Sequence, residues 1–276
     1  MNNKQRFIAL LGFAVGLGVH TQALATQIEV TIENLTPGGG LYFTPVWVGF
    51  HDGSFDTFDI GAPASASLEA LAEGGDAAGI SADFGSVAGG QQGLVFAPSG
   101  FPGAPVFDPG DSASITFNLD PGSNRFFSFA SMVIPSNDAF IGNANPAAYE
   151  IFDATGVYTG PLDLLVLGSE VWDAGTEVND GMGAPFSTLG GSSTDEIATI
   201  GQHAGLGVLL GTTTAAGTTI DPVAGDFTLN GYQLARITVS RVPEPHLFAM
   251  LGLGLVAMRV AGRRRRGGVS ENALPA

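Results

Sequence analysis

Residues 27–34, with the sequence QIEVTIEN, alternate between apolar and polar side chains. Aliphatic side chains occupy every second position, at Ile28, Val30 and Ile32, and polar residues stand between them. A period of two places successive side chains on opposite faces of a β-strand. The turn-forming run PGGG at residues 37–40 ends the pattern. This stretch therefore predicts a strand with one face in a core and the other in water.

Three later stretches predict further strands. Residues 113–119 and 235–240 alternate in the same way, with apolar residues at the odd positions. Phe126–Ile134 is almost entirely apolar, which predicts a strand that is covered on both faces. Residues 235–240 alternate like the first strand, and this pattern would let them lie near it, at one edge of a sandwich.

One short helix is predicted over Ser65–Glu73, where Leu68, Leu71 and Ala72 share a face and Gly74 stops the pattern. Glycine-rich runs at 89–93 and 211–217 are predicted to be flexible surface loops. No repeat of 20–50 residues and no long linker divides the chain. Residues 26–241 are therefore predicted to form one all-β domain, an antiparallel β-sandwich with one or two short helices.

Residues 1–25 carry the pattern of a removable signal peptide. Lys4 and Arg6 make a positive start, residues 7–19 are mostly apolar, and Ala23-Leu24-Ala25 offers the small-x-small pattern of a cleavage site. A membrane helix is the alternative, but the apolar run is shorter than the ~20 residues that span a bilayer. We expect cleavage after Ala25 and export of the domain.

Residues 242–276 carry the pattern of a second targeting signal. Pro243-Glu244-Pro245 precedes an apolar run at 247–257, and the block Arg263–Arg266 follows. Arginines after an apolar segment hold that end in the cytoplasm. The three-part pattern resembles the PEP-CTERM sorting signal of Gram-negative bacteria, which implies transient membrane insertion, processing by an exosortase, and release or attachment at the cell surface. A simple C-terminal membrane anchor is the alternative.

The charge of the predicted domain restricts its partners. Residues 26–241 contain 24 acidic and three basic residues, a formal charge of −21, and the chain has no cysteine. Nucleic acid and anionic lipid both require a basic face, so we expect binding to neither. The absence of cysteine excludes disulfides and thiolate zinc sites. An acidic, exported domain is instead suited to calcium, although acidity by itself also serves solubility.

Several motifs in residues 27–179 resemble the spondin N-terminal domain family. They occur in the order that the family has, and the last two are the most specific. The motifs are LYFTP (41–45), VGFHDG (48–53), GAPAS (61–65), LEALAEGG (68–75), MVIPSNDAF (132–140) and VWDAGTE (171–177). The resemblance implies a β-sandwich related to calcium-dependent membrane-targeting domains, in proteins of extracellular matrix and cell adhesion. The chain differs from animal relatives in its lack of cysteines, and the stretch after residue 179 matches poorly.

The resemblance also implies one bound calcium ion. Asp138 and Asp173 stand where the family has its metal carboxylates, and a backbone carbonyl from Ser169 or Glu170 would complete the protein ligands. Without the resemblance, a turn role is favoured for each aspartate, with a helix cap as a further alternative for Asp138. Two carboxylates, carbonyls and water would make a moderate calcium site. Glu177 and Asn137 are candidates for the same shell, with exposed loop positions as the alternative.

Other chemistry-bearing residues are interpreted as structural. Asp52-Gly-Ser-Phe-Asp56 begins like a calcium loop, but it lacks the sixth-position glycine and the closing glutamate. His51 and His203 have no nucleophile elbow or ordered Ser-His-Asp signature near them, and His51 is expected to brace a loop. The remaining aspartates beside glycine or proline are expected in turns: Asp83, Asp108, Asp111 and Asp120.

Three functions remain open from the sequence. The first is a non-enzymatic, calcium-stabilised domain that contacts polysaccharide, matrix or another cell at the surface. The second is a hydrolase of extracellular polysaccharide, for which the chain offers too many acidic pairs for any one to be decisive. The third is a passive structural component.

Overall fold

Two antiparallel β-sheets pack face to face, and two short helices cover the outer face of the larger sheet. The computed structural model describes residues 25–97 and 104–243. The predicted signal peptide and sorting tail therefore lie outside the described residues, except for Ala25, Val242 and Pro243. The all-β class, the antiparallel sandwich and the presence of one or two short helices are confirmed.

The elements follow one another in chain order. The strands are β1 (Thr26–Asn34), β2 (Tyr42–Phe43), β3 (Val46–His51), β4 (Gln91–Val95), β5 (Ser112–Leu119), β6 (Phe126–Ile134), β7 (Ala139–Gly142), β8 (Tyr149–Glu150), β9 (Leu162–Leu167), β10 (Val171–Asp173), β11 (Gly201–Gln202) and β12 (Gln233–Arg241). The α-helices are α1 (Ala66–Gly74) and α2 (Ala78–Phe84), and 3₁₀ turns occupy Gly168–Glu170 and Gly207–Leu209. Within the described ranges, no helix is long and apolar enough to cross a bilayer.

The smaller sheet has the strand order β5-β1-β12-β9. Strand β1 pairs antiparallel with β12, so that Ile28 lies opposite Arg241 and Asn34 opposite Ala235. The predicted proximity of the first and last strands is confirmed. Their predicted place at the edge is wrong, because β5 and β9 cover the outer sides and leave β1 and β12 in the centre.

The larger sheet has the order β11-β10-β7-β6-β3-β4, with β2 and β8 also paired to β6. Strand β6 has the predicted bounds, and every residue after Phe126 is buried. Its two faces enter two different cores. One core fills the space between the sheets, and the second lies between the larger sheet and the helices, around Trp47 and Phe140.

Local chemistry explains the first helix. The Ser65 hydroxyl accepts a hydrogen bond from the Leu68 N–H at 3.2 Å, as an N-cap does. Gly75 ends the helix with φ of +68°, and a Cβ there would lie 2.5 Å from the Thr44 methyl group. Glycine is therefore required on both conformational and steric grounds.

The glycine-rich run at 89–93 is only partly a loop. Its residues from Gln91 onward belong to β4, which pairs with β3. A Cβ at Gly93 would lie 2.7 Å from the Ile115 side chain of β5. The glycine that suggested a loop instead allows the two sheets to approach each other closely.

Candidate metal centre

Three side chains from different strands meet at one end of the larger sheet. Asp138 lies in the turn between β6 and β7, Asp173 is the last residue of β10, and His203 follows β11. The strand register brings them together, because Asp173 lies opposite Ala139 on one side and Gly201 on the other. One ligand atom from each of the three residues lies within 4.8 Å of the other two. This group can hold a metal ion.

Asp138 is buried, with 0% of its surface exposed. Its Oδ2 atom accepts hydrogen bonds from the Thr176 N–H at 2.9 Å, the Glu177 N–H at 3.1 Å and the Thr176 hydroxyl at 3.3 Å. Its Oδ1 atom is also buried and has no hydrogen-bond partner among the described residues. The alternative of a local turn or cap is therefore wrong, because the bonds reach a distant loop. A buried carboxylate oxygen without a partner is costly unless a cation compensates it.

Asp173 makes the turn contact that the sequence offered as its alternative role, and it also belongs to the metal group. Its Oδ1 atom accepts the Gly175 N–H at 2.8 Å, which is a turn contact, and its Oδ2 atom accepts from the Asn179 amide at 2.8 Å. Burial, and next the negative charge of Asp138, raise the pKa of Asp173 to about 6. The ionised form of Asp173 is therefore disfavoured without a cation, and a bound divalent cation would favour it again.

His203 supports Oδ2 of Asp173 through the side chain of Asn179. Its Nδ1 atom accepts the Gly205 N–H at 3.1 Å, so the proton of the neutral ring is on Nε2. Nε2 then donates to Oδ1 of Asn179 at 2.9 Å, and the amide nitrogen of Asn179 donates to Asp173. Burial lowers the pKa of His203, against the opposing charge of Asp138. Both ring nitrogens are thus engaged, and the histidine orients Asn179 and Asp173.

The surroundings add negative charge. Glu177 and Asn137 are buried beside Asp138, so the exposed loop positions considered for them are wrong. Asn137 accepts the Gly181 N–H at 2.9 Å and donates to Glu177 at 3.4 Å. Burial raises the pKa of Glu73, and the charges of Glu177 and Asp138 act in the same direction.

The basic residues of the described ranges lie elsewhere. Arg125 pairs with Glu150, Arg236 pairs with Asp163, and the Arg241 guanidinium lies over the Tyr158 ring. No arginine or lysine of residues 25–97 and 104–243 therefore joins the metal group.

Ser169 and Glu170 lie in the 3₁₀ turn that leads into β10. The Glu170 carboxylate accepts the Leu167 N–H at 2.8 Å and so serves the turn. Ser169 lines a cleft that His203 also lines. The supply of a backbone carbonyl ligand by Ser169 or Glu170 stays a prediction.

The other candidate residues have structural contacts. Asp52 accepts the Ser54 N–H at 3.0 Å, which confirms the predicted turn. His51 accepts the Gly53 N–H at 3.0 Å through Nδ1, so its Nε2 donates to the buried Ser128 hydroxyl at 2.9 Å. A histidine that donates to a serine is not poised as its base. Asp83 differs from its predicted turn, because it belongs to α2.

His51 and His203 cannot form one site. His51 lies opposite Phe126 at the start of β6, whereas Asp138 and His203 gather beyond the end of that strand. Nine residues of strand separate the two ends, which corresponds to about 26 Å.

His203 and Asn179 are the members of the site that sequence reasoning did not identify. Asp173 and His203 are 30 positions apart, and no local spacing links them. Their proximity depends on the pairing of β10 with β11, a strand of two residues that has no alternation to detect.

No protein-family model matches the chain, and no curated protein matches it either. The likeness to spondin N-terminal domains and to the PEP-CTERM signal therefore stays a prediction that rests on the motifs.

Proposed function

We propose that the chain is an exported, non-enzymatic calcium-binding domain of adhesion or matrix type, displayed at the surface or in the extracellular polymer of a Gram-negative bacterium. The observation that carries the proposal is the buried carboxylate of Asp138. Its Oδ1 has no hydrogen-bond partner among the described residues, and one of its oxygens lies within 4.8 Å of a ligand atom of Asp173. The spondin-like motifs support the class of protein, and the two terminal patterns support its location.

The donor set favours calcium over zinc. Zinc prefers nitrogen and sulfur ligands, and the chain has no cysteine. Both nitrogens of His203 are engaged, one by the Gly205 N–H and one by Asn179. The available ligands are therefore carboxylate oxygens, joined by carbonyls and water, and these suit the 6 to 8 oxygens that calcium takes.

Moderate affinity would fit an extracellular role. Two carboxylates are few for a calcium site, and extracellular calcium modules typically bind with dissociation constants of about 10⁻⁴–10⁻³ M. The acidic surface leaves neutral polymer, or polymer bridged by calcium, as the compatible partner class.

Calcium titration of the purified protein, by calorimetry and thermal melting, tests the cation. We expect one binding event and a rise in melting temperature with calcium, and a much smaller rise with zinc at equal free concentration. Calcium that produces neither heat nor a shift in melting temperature would contradict the proposal.

Sedimentation with washed extracellular polymer tests the function. The protein should sediment with the polymer in calcium and remain in solution in EDTA. Release of reducing sugar from the polymer by the protein would favour the hydrolase instead.

A further inference from the structure

A cleft of about 310 Å³ opens beside the metal group. Its walls are the 3₁₀ turn at 168–170, the end of β11, and the segment 227–232. His203 lines the cleft and is also a member of the metal group, so the two features share a residue. The volume lies at the lower end of the ~300–1,000 Å³ typical of small-molecule sites.

The cleft is neutral in a strongly acidic protein. None of its 11 lining residues is Asp, Glu, Lys or Arg. His203 is neutral because its Nδ1 accepts the Gly205 N–H. Asp226 holds the Thr228 backbone and does not line the cleft. A charged ligand would therefore find no counter-ion here, whereas a neutral ligand would avoid that cost.

Three lining side chains offer unused hydrogen-bonding groups. The Ser169 hydroxyl and the amides of Gln202 and Asn230 are exposed, and none has a side-chain hydrogen bond within the described residues. Each of these groups can both donate and accept, as a sugar hydroxyl can. Leu229, which is 46% exposed, adds an apolar surface against which the C–H face of a sugar ring can pack.

The walls of the cleft are in close contact with one another. The Gly168 N–H donates to the Tyr232 carbonyl at 2.9 Å, and a Cβ at Gly168 would lie 1.9 Å from the Phe227 carbonyl oxygen. The His203 ring packs edge-on against Phe227, with centroids 5.5 Å apart. A cleft formed by such contacts is organised before a ligand binds, which lowers the cost of binding.

We propose that this cleft binds a neutral polysaccharide segment, with Ser169, Gln202 and Asn230 as its polar contacts. The inference rests on the proposed function, since the cation at Asp138 and Asp173 would steady the wall that contains His203. Calcium should therefore strengthen sugar binding without contacting the sugar.

Calorimetry with neutral trisaccharides tests the cleft. The probes are cellotriose, mannotriose and galactotriose, with trigalacturonate as the charged counterpart and a glycine-serine peptide as the extended neutral chain. At least one neutral sugar should bind, and more tightly in calcium than in EDTA. The double variant Gln202→Ala, Asn230→Ala should weaken binding by about tenfold, since each lost hydrogen bond costs several-fold.

The matched control is Gln233→Ala, an exposed amide on β12 outside the cleft. It should leave sugar binding unchanged, and both variants should keep the parent's response to calcium. Binding by the double variant equal to the parent would overturn the proposal, as would binding of only trigalacturonate or only the peptide. No sugar binding in a protein that calcium stabilises would overturn the cleft alone. Sugar binding in a protein that does not respond to calcium would overturn the proposed cation instead.

Discussion

The two ends of β6 both gather aspartates, but the surroundings of these residues differ. At the start of the strand, Asp52, Asp120 and Asp153 line an open cleft of about 440 Å³ together with Arg125. Each of these aspartates accepts the backbone N–H two residues along the chain, at 2.8–3.0 Å. Hydrogen bonds with Ser54 and Thr155 lower the pKa values of Asp52 and Asp153.

At the far end of β6, the same residue type is desolvated. Burial raises the pKa of Asp173, and one oxygen of Asp138 has no partner among the described residues. A cluster of aspartates is therefore not enough by itself to identify a cation site. The three aspartates at the start of β6 lie in an open cleft and accept backbone hydrogen bonds, whereas buried carboxylates that lie close together gain most from a cation.

The largest expected effect is a loss of stabilisation by calcium when the Asp138 end of β6 is changed, with no loss when the Asp52 end is changed. Asp138→Asn keeps the volume and one acceptor oxygen but deletes the buried charge, so it should abolish most of the stabilisation by calcium. At free calcium 100 times the dissociation constant, that stabilisation is ~2.7 kcal/mol, which corresponds to several degrees of melting temperature. Thermal melting with and without calcium measures it. The control Asp52→Asn lies at the other end and should respond like the parent, and a parental response from Asp138→Asn would place the site elsewhere.

A smaller effect is a pH dependence in the absence of calcium. The pKa of Asp173 is raised to about 6 in the folded state, against about 3.9 in the unfolded chain. The folded protein therefore binds more protons between these values, and its free energy of unfolding should fall as pH rises from 4 to 6. The contribution of this residue is at most ~2–3 kcal/mol.

Asp173→Asn should remove this fall in the free energy of unfolding between pH 4 and 6. Saturating calcium should reduce the fall, because it favours the ionised form of Asp173. Denaturant unfolding at several pH values gives the measurement. Asp153→Asn is the contrasting variant, because a lowered pKa contributes stability above the unfolded pKa that is lost as pH falls. Identical pH profiles for the parent and Asp173→Asn would contradict the contrast between the two ends.

The smallest effect concerns the residue that joins His203 to Asp173. Asn179→Ala removes the amide that holds Oδ2 of Asp173, so calcium affinity should fall by about tenfold, as expected when the support of a metal ligand is lost. Calorimetry supplies the dissociation constant. Asn118→Ala, an exposed asparagine on β5, should leave it unchanged. Equal affinity for Asn179→Ala and the parent would mean that the histidine and asparagine do not support the site.

Strand alternation made part of the fold predictable. Strands β1, β5 and β12 each have a clear period of two, and β6 is a continuous apolar run, so all four could be predicted from the sequence. Strand β9, with the sequence LDLLVL, has adjacent apolar residues that hide the period. Strands β10 and β11 are too short to show any period.

The candidate site also contains residues that the sequence could predict and residues that it could not. Asp138 and Asp173 belong to recognisable motifs, and the structure brings both into one metal group. His203 and Asn179 have no such motif, because their role depends on neighbours that are distant in sequence. An isolated histidine followed by small residues gives no sign of which strand it will meet.

The features that follow from the sequence alone are therefore local or compositional: the strand faces around Ile28 and Ile237, the Ser65 cap and glycine stop of α1, and the acidic charge. Such features depend on interactions within a few residues, or on composition alone. Three features depend on tertiary packing: the central position of β1 and β12 in the smaller sheet, the proximity of Asp138, Asp173 and His203, and the burial of the two carboxylates. The physical reason is that strand register and burial depend on the whole packed chain, and the cost of a buried charge exists only after that packing has formed.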